Sequence, residues 1–208
     1  MYVPAVFRET RPEVLHELIR DHSFGTLVSL VDGGLFATHM PFLLDESHGP
    51  NGVLRGHMAR ANPHWQGFPT DVESLVIFQG PHAYISPSWY KSERAVPTWN
   101  YTAVHVYGIP RVLEDPAAVR ALLEATVGTF EAALPEPWST ARAGEDYIAH
   151  MARAIVAFEI PIARLEGKRK LGQNRPAVDV AGAAAGLRKY GDAVGLEVAE
   201  LMSSQHAP

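Results

Sequence analysis

The side chains best suited to chemistry crowd into one stretch of this 208-residue sequence, Leu54-Arg55-Gly56-His57-Met58-Ala59-Arg60-Ala61-Asn62-Pro63-His64-Trp65. The stretch follows a predicted strand, holds two arginines and closes in a helical turn beginning near Ala59. A helix start presents unpaired amides, and with Arg60 and Asn62 beside them it would make a cradle for an anion such as a phosphate. The competing reading is a strand end with solvated arginines, and spacing alone favours that one.

Three further groups bear on the chemistry. Lys168-Arg169-Lys170, followed by Gln173-Asn174-Arg175, is a basic cluster that reads by itself as a solvated loop after a strand. Pro97-Thr98-Trp99-Asn100-Tyr101 sets two aromatics around a carboxamide, able to stack on a flat ring and hydrogen-bond its edge. The competing reading is a core aromatic pair with a turn-forming Asn, and the residues alone favour that one. Ten histidines is a high count for this length, with His39, His57, His82 and His105 on predicted strands. Imidazole is the commonest metal ligand, so a metal or haem site has to be weighed. Against it, there is no His-Glu-x-x-His motif and no cysteine. Nucleophilic hydrolysis finds no support either, since no Gly-x-Ser-x-Gly elbow and no evident carboxylate pair is present.

The elements that must position these groups are mostly strands. Thr10-Arg11-Pro12-Glu13 has the capping-box spacing, and Val14, Leu15, Leu18 and Ile19 follow at helical period, predicting a short helix to Asp21. Phe24 to Val31, Asp32-Gly33-Gly34 and then Leu35 to Leu44 read as a hairpin. Further strands are predicted at 52–58, 74–78, 82–86, 99–113 and 155–165, with Pro81 and Pro87 as breakers. Helices are expected from Pro116 to Leu134 and from Gly144 to Ala152. The tail from Pro176 is rich in Ala and Gly, which predicts a weakly specified helix with frayed last residues. Together these imply a mainly β fold with added helices: an antiparallel barrel, without the Gly-x-Gly-x-x-Gly of a dinucleotide-binding sheet.

Composition narrows the function classes. With 47% hydrophobic and 20% charged residues the chain is an ordinary globular one, able to bury a core without staples. Eighteen basic residues face 23 acidic ones, a net charge of −5, whereas a dedicated duplex-DNA binder is usually basic. Direct DNA binding is therefore doubtful. No apolar stretch is long enough to span a membrane and no signal-peptide pattern is visible, so a cytoplasmic, membrane-free protein is expected.

At these same residues the sequence closely resembles the PaiB-like flavin-binding proteins, a family of FMN-binding negative transcriptional regulators. The resemblance runs from Met1-Tyr2-Val3-Pro4 to about Arg175. It is carried by Phe24-Gly25-Thr26-Leu27-Val28-Ser29, Thr38-His39-Met40-Pro41-Phe42, Gly56 to Pro63, Phe78 to Tyr90, Val96 to Tyr101 and Leu165-Glu166-Gly167-Lys168. It implies the FMN-binding split β-barrel shared with pyridoxamine-phosphate oxidases, working as a homodimer with flavin at the interface. In that frame residues 1–175 form the barrel domain, with a helical insertion near 115–152, and 176–208 a partly flexible helical tail. Thr38, His39 and Met40 would line the isoalloxazine, and Arg55, Gly56, His57, Arg60 and Asn62 would face the ribityl phosphate. Gln79, Trp99 and Asn100 would contact the ring, while Lys170 and Gln173 are weaker candidates for the phosphate end. Two departures stand out: Gly172 where the family has Ser, and Arg169 where an aromatic is common.

Three functions follow from this frame. The first is a flavin-binding regulator acting indirectly or as a redox sensor. The second is an FMN-dependent oxidoreductase or flavin reductase. The third is a haem-binding split barrel using a strand histidine. The residues name no proton-transfer group, with His39 or His57 the first guess.

Overall fold

The computed structural model describes residues 1–205 and shows a mainly β chain with helices added, as expected. The strands among the described residues are β1 (Arg8–Glu9), β2 (Phe24–Val31), β3 (Gly34–Pro41), β4 (Leu43–Asp45) and β5 (Val53–Ala59). They continue with β6 (Ser74–Ile85), β7 (Thr98–Gly108), β8 (Arg111–Val112), β9 (Ile155–Pro161) and β10 (Arg164–Lys170). The helices are α1 (Pro12–Asp21), α2 (Pro116–Glu131), α3 (Glu145–Ala152), α4 (Ala177–Tyr190) and α5 (Ala193–Gln205). The chain divides into two compact units, residues 1–18, 78–105 and 166–208 in the first, and 19–77 and 106–165 in the second. The described part of the tail, α4 and α5, belongs to the first unit.

The second unit is built on two antiparallel assemblies, the first of which also takes in the start of β6 beside β2. β2 and β3 form the predicted hairpin, closed by Asp32 and Gly33 at φ 51° and 79°, the two positive values that a tight two-residue turn requires. The other is a four-stranded sheet in the order β4-β5-β9-β8. The long returning strand expected to reach Leu44 instead breaks at Phe42, because its last residues pair with β5 rather than β2. Phe42, Phe68 and Phe158 meet edge-on in this unit's core, with centroids 6.3 Å and 5.1 Å apart for the two contacts to Phe158. α2 starts with the Asp115 side chain accepting from the Ala117 amide and Pro116 in its first turn, and it stops at Glu131, three residues short of expectation.

The first unit holds β1, β10 and the adjoining parts of β7 and β6, in that order. β6 is one strand where two were expected. Pro81 does not break it, since Gly80 and Pro81 are both buried in succession, shifting the alternation by one residue as a bulge does. The basic run 168–170 lies inside β10, not in a loop. The amides of Thr10 and Arg11 are taken by the Glu9 carboxylate, which also holds the Arg11 guanidinium at 2.9 and 2.6 Å; these bonds keep its pKa low, about 2.

The Ala- and Gly-rich tail is a packed helical pair. Val180, Ala183, Ala184 and Leu187 of α4 and Val198, Ala199 and Met202 of α5 share a buried cluster with Ala83, Ile85 and Leu171. Small residues are what let α4 lie against Trp89: a Cβ added at Gly186 would fall 2.3 Å from the indole. Asp179, fully buried in the first turn of α4, accepts from the Lys91 and Ser92 amides and the Ser92 hydroxyl, pinning the loop that precedes β7. The expected fraying of the last residues concerns 206–208, outside the described residues.

The contrast between two helical glycines is testable. Gly186→Ala forces overpacking against Trp89 and should lower stability by about 1–3 kcal/mol. Gly128→Ala in α2, where an added Cβ meets nothing within 4 Å, should raise it by about 0.5–1 kcal/mol. Urea unfolding of both variants beside the parent checks the pair.

Candidate functional site

In the second unit the candidates sort by strand face. Successive side chains of β3 point to opposite sides, so Thr38 and Met40 share one face and His39 the other. Met40 is buried, and its Cε occupies the place where a Cβ on Gly56 would come within 2.8 Å. Gly56 is therefore demanded by core packing. His39 is exposed on the outer face, where its Nδ1 lies 2.9 Å from the Thr26 hydroxyl across the hairpin. Thr38 is half-buried and meets a short 3-10 turn, Pro63–Gly67.

That turn replaces the cradle of free amides expected near Ala59. Its cap is Asn62, whose side-chain oxygen accepts from the His64 amide at 3.0 Å. The other end of the carboxamide donates to Thr38 Oγ1 at 3.1 Å. His64 Nδ1 lies 2.8 Å from the same oxygen. Arg60 is committed to backbone: its Nε and Nη2 donate to the carbonyls of Arg153 and Ile155 at 2.8 and 2.7 Å. Arg55 lies between two carboxylates, 2.9 Å from Asp45 and 3.7 Å from Glu159, so its charge is compensated within the chain. His57 is half-buried on β5, and burial holds its pKa below the usual imidazole value.

In the first unit, alternation along β7 separates Trp99 from Asn100. Trp99 is 54% exposed, beside His82 and Tyr84 at centroid distances of 6.3 and 6.1 Å. Gln79 is exposed too, its amide nitrogen 3.3 Å from His82 Nδ1. Asn100 is buried on the opposite face, its Nδ2 against Met202 Sδ at 3.2 Å, so the two residues do not address one ring together. Gln173 closes a local turn, accepting from the Leu171 amide and donating to the Arg169 carbonyl. In that turn Gly172 has φ +91°, a conformation that favours glycine over the family's serine. Arg169, the other departure, lies 3.7 Å from Glu9, a charge partner that an aromatic would not use.

Lys170 differs from Arg55 in having no carboxylate partner among the described residues, and from the exposed Arg60 in its burial. It is half-buried, and its ammonium donates to the Thr98 hydroxyl and the Trp99 carbonyl, both neutral oxygens. Burial, then the nearby charges of Lys168 and Arg175, hold its pKa below the ordinary lysine value. Lys168 is itself buried, donating to the Tyr2 carbonyl at 3.2 Å and lying over the Tyr101 ring. Among the described residues no carboxylate pairs with Lys170, which has two further cations near it, Lys168 and Arg175, the latter also close to the Asp179 carboxylate and over the Tyr90 ring.

His64 is the residue that the sequence reading passed over. The signal was present in Asn62-Pro63-His64: a capping Asn followed by Pro at the first helical position fixes the next residue against its cap. Among the described residues no group of three or more His, Asp or Glu side chains is arranged to hold a metal ion, and no helix is long and apolar enough to cross a membrane.

Comparison with known proteins agrees with this architecture. Residues 1–164 match the FMN_bind_2 family, described as "Putative FMN-binding domain". The chain is 34% identical over 205 residues to "Protease synthase and sporulation protein PAI 2" of Bacillus subtilis, covering 99% of this chain and 98% of that protein. Among solved structures it is similar to the flavocytochrome Anf3 of Azotobacter vinelandii, at TM-score 0.57 and 12% identity, over 78% of this chain and 69% of that one. It is likewise similar to the FAD and haem binding protein of Mycobacterium smegmatis, at TM-score 0.57 and 18% identity, over 86% of this chain and 80% of that one. Such identities speak for the fold, the split barrel, while the match over most of the chain speaks for the family: the protein is a member of the PaiB-like FMN-binding family, whose cofactor is flavin mononucleotide.

Proposed function

We propose that the protein is a homodimeric, redox-responsive FMN protein whose regulatory effect, like that suggested by the family name, is exerted indirectly and not by gripping duplex DNA. The observation that carries the flavin assignment at residue level is Lys170, a half-buried cation beside Lys168 and Arg175 whose partners among the described residues are neutral oxygens. That donor set fits a phosphate. Of the sequence candidates for the same role, Arg55 is already answered by carboxylates, and the exposed Arg60 has its Nε and Nη2 turned to backbone carbonyls. In the second unit, Thr38 and Asn62 offer a hydroxyl and a carboxamide of the kind that suits the polar edge of a flavin ring. When bound, FMN supplies reversible electron or hydride transfer, and the protein's part is to hold and tune it.

The acidic balance supports the indirect route, since a net charge of −5 works against phosphate neutralisation along a duplex. The dimer rests on an exposed apolar face of the second unit. Phe24 and Leu35 are 67% and 82% exposed, on the same side of the hairpin as Val28, Leu30 and Ala37. A second copy of the same face is its natural cover, because twofold dimers bury identical patches. An FMN-dependent oxidoreductase is the alternative reading, and rapid bleaching of the bound flavin by NADH or NADPH would favour it.

FMN and riboflavin, which differ by the phosphate, separate the roles. Lys170→Ala should weaken FMN about 10–100-fold, the worth of one charge-assisted hydrogen bond, and leave riboflavin unchanged. The ammonium form binds the phosphate, so FMN affinity should fall as pH rises through the lowered Lys170 value, and this fall should vanish in the variant. Equal loss of both ligands would assign Lys170 a structural role instead. Sedimentation should give twice the 22.8 kDa chain mass, and Leu35→Glu should return it to the single chain. A parent sedimenting as a single chain would refute the dimer.

A further inference from the structure

The hydrogen bonds around Thr38 can be followed proton by proton. The Asn62 carboxamide has only one orientation available, because its oxygen is held by the His64 backbone N–H. Its nitrogen therefore faces Thr38, and donates one hydrogen bond to Oγ1. The second bond to this oxygen involves His64 Nδ1, which either accepts the Thr38 proton or donates its own. The two cases present opposite chemistry. If Nδ1 accepts, the Thr38 hydroxyl proton is committed inward. If Nδ1 donates, both Thr38 lone pairs are filled and the hydroxyl proton must go elsewhere.

The far side of the imidazole decides between them. His64 is fully buried, between the rings of Phe36 at 4.8 Å and Phe68 at 5.6 Å, and among the described residues its Nε2 has no hydrogen-bond partner. Burial holds the ring's pKa below the usual imidazole value, so at neutral pH it carries one proton. Placing that proton on Nε2 would orphan an N–H in an apolar pocket and also commit the Thr38 proton inward. Placing it on Nδ1 leaves an unsatisfied lone pair at Nε2, and buried N–H groups are the rarer of the two orphans.

We propose that His64 is a positioning residue held as its Nδ1–H tautomer, which together with Asn62 fills the lone pairs of Thr38 and turns the Thr38 hydroxyl into an outward hydrogen-bond donor to an acceptor atom of the flavin ring. This rests on the FMN reading above. A donor at a ring carbonyl oxygen or imine nitrogen favours added electron density there, so Thr38 would make the bound flavin easier to reduce. Replacing it should shift the potential downward.

The tautomer is measured in the flavin-free protein, by nitrogen-15 NMR with labelled histidine. The expected result is a protonated Nδ1 and a bare Nε2 for His64, identified by its loss in His64→Phe. A protonated Nε2 overturns the proposal. With FMN, Thr38→Val removes the hydroxyl at constant shape and should weaken binding about tenfold and lower the flavin potential, whereas Thr38→Ser should restore both. His64→Asn, which keeps a donor near the Nδ1 position, should retain more of the potential than His64→Leu at matched thermal stability. Thr38→Val indistinguishable from the parent in both affinity and potential would overturn the role while leaving FMN binding intact. Failure of the parent to bind FMN would remove the flavin reading itself and this role with it, and the NMR result tells the two failures apart.

Discussion

Every assignment in this protein is governed by the two-residue period of its strands. A strand offers one face to the core and one away from it, so neighbouring residues of a sequence motif cannot serve the same surface. On β3 this places Thr38 with Met40 and sets His39 apart; on β7 it exposes Trp99 and buries Asn100. The same rule makes Gly56 a packing residue, because it faces Met40 and Phe42 inside the second unit. Motifs that look like single recognition patches are thus divided between packing and presentation.

Electrostatic bookkeeping then separates structural cations from available ones. Arg55 has two carboxylates and Arg60 two carbonyls as partners, and such paired groups lock β5 and β9 and the chain before them. Lys170 is half-buried beside Lys168 and Arg175, with no carboxylate partner among the described residues. A cation kept in such a place is destabilised until an anion arrives. The Thr38–Asn62–His64 group follows the same logic with neutral atoms: in the proposed tautomer both lone pairs of Thr38 are filled from within, and its hydroxyl proton is left to point outward.

Much of the fold was legible because its signals are local. Asp32-Gly33 demanded the hairpin, the apolar period of Val14, Leu15, Leu18 and Ile19 demanded α1, and Pro116 after a capping Asp115 started α2. The misreadings arose where tertiary structure overrode a local cue. Pro81 sits in β6 where the burial alternation shifts by one residue, and Lys168 and Arg169 lie inside a strand with Tyr2, Tyr101 and Glu9 as partners for their charges. The Ala- and Gly-rich tail read as weakly specified, yet its small side chains are what admit Trp89 against α4. Of the candidate site, residue types were visible, while their directions were not; His64 escaped notice because its value lies in being buried.

The family assignment points to flavin mononucleotide as the cofactor, and its binding is the central claim. The most direct measurement is equilibrium dialysis of the purified full-length protein against FMN, read by flavin absorbance at saturation. One FMN held per chain, with its spectrum altered from the free state, is the result this account predicts. A protein that retains no FMN above the dialysate at any concentration tested would contradict it.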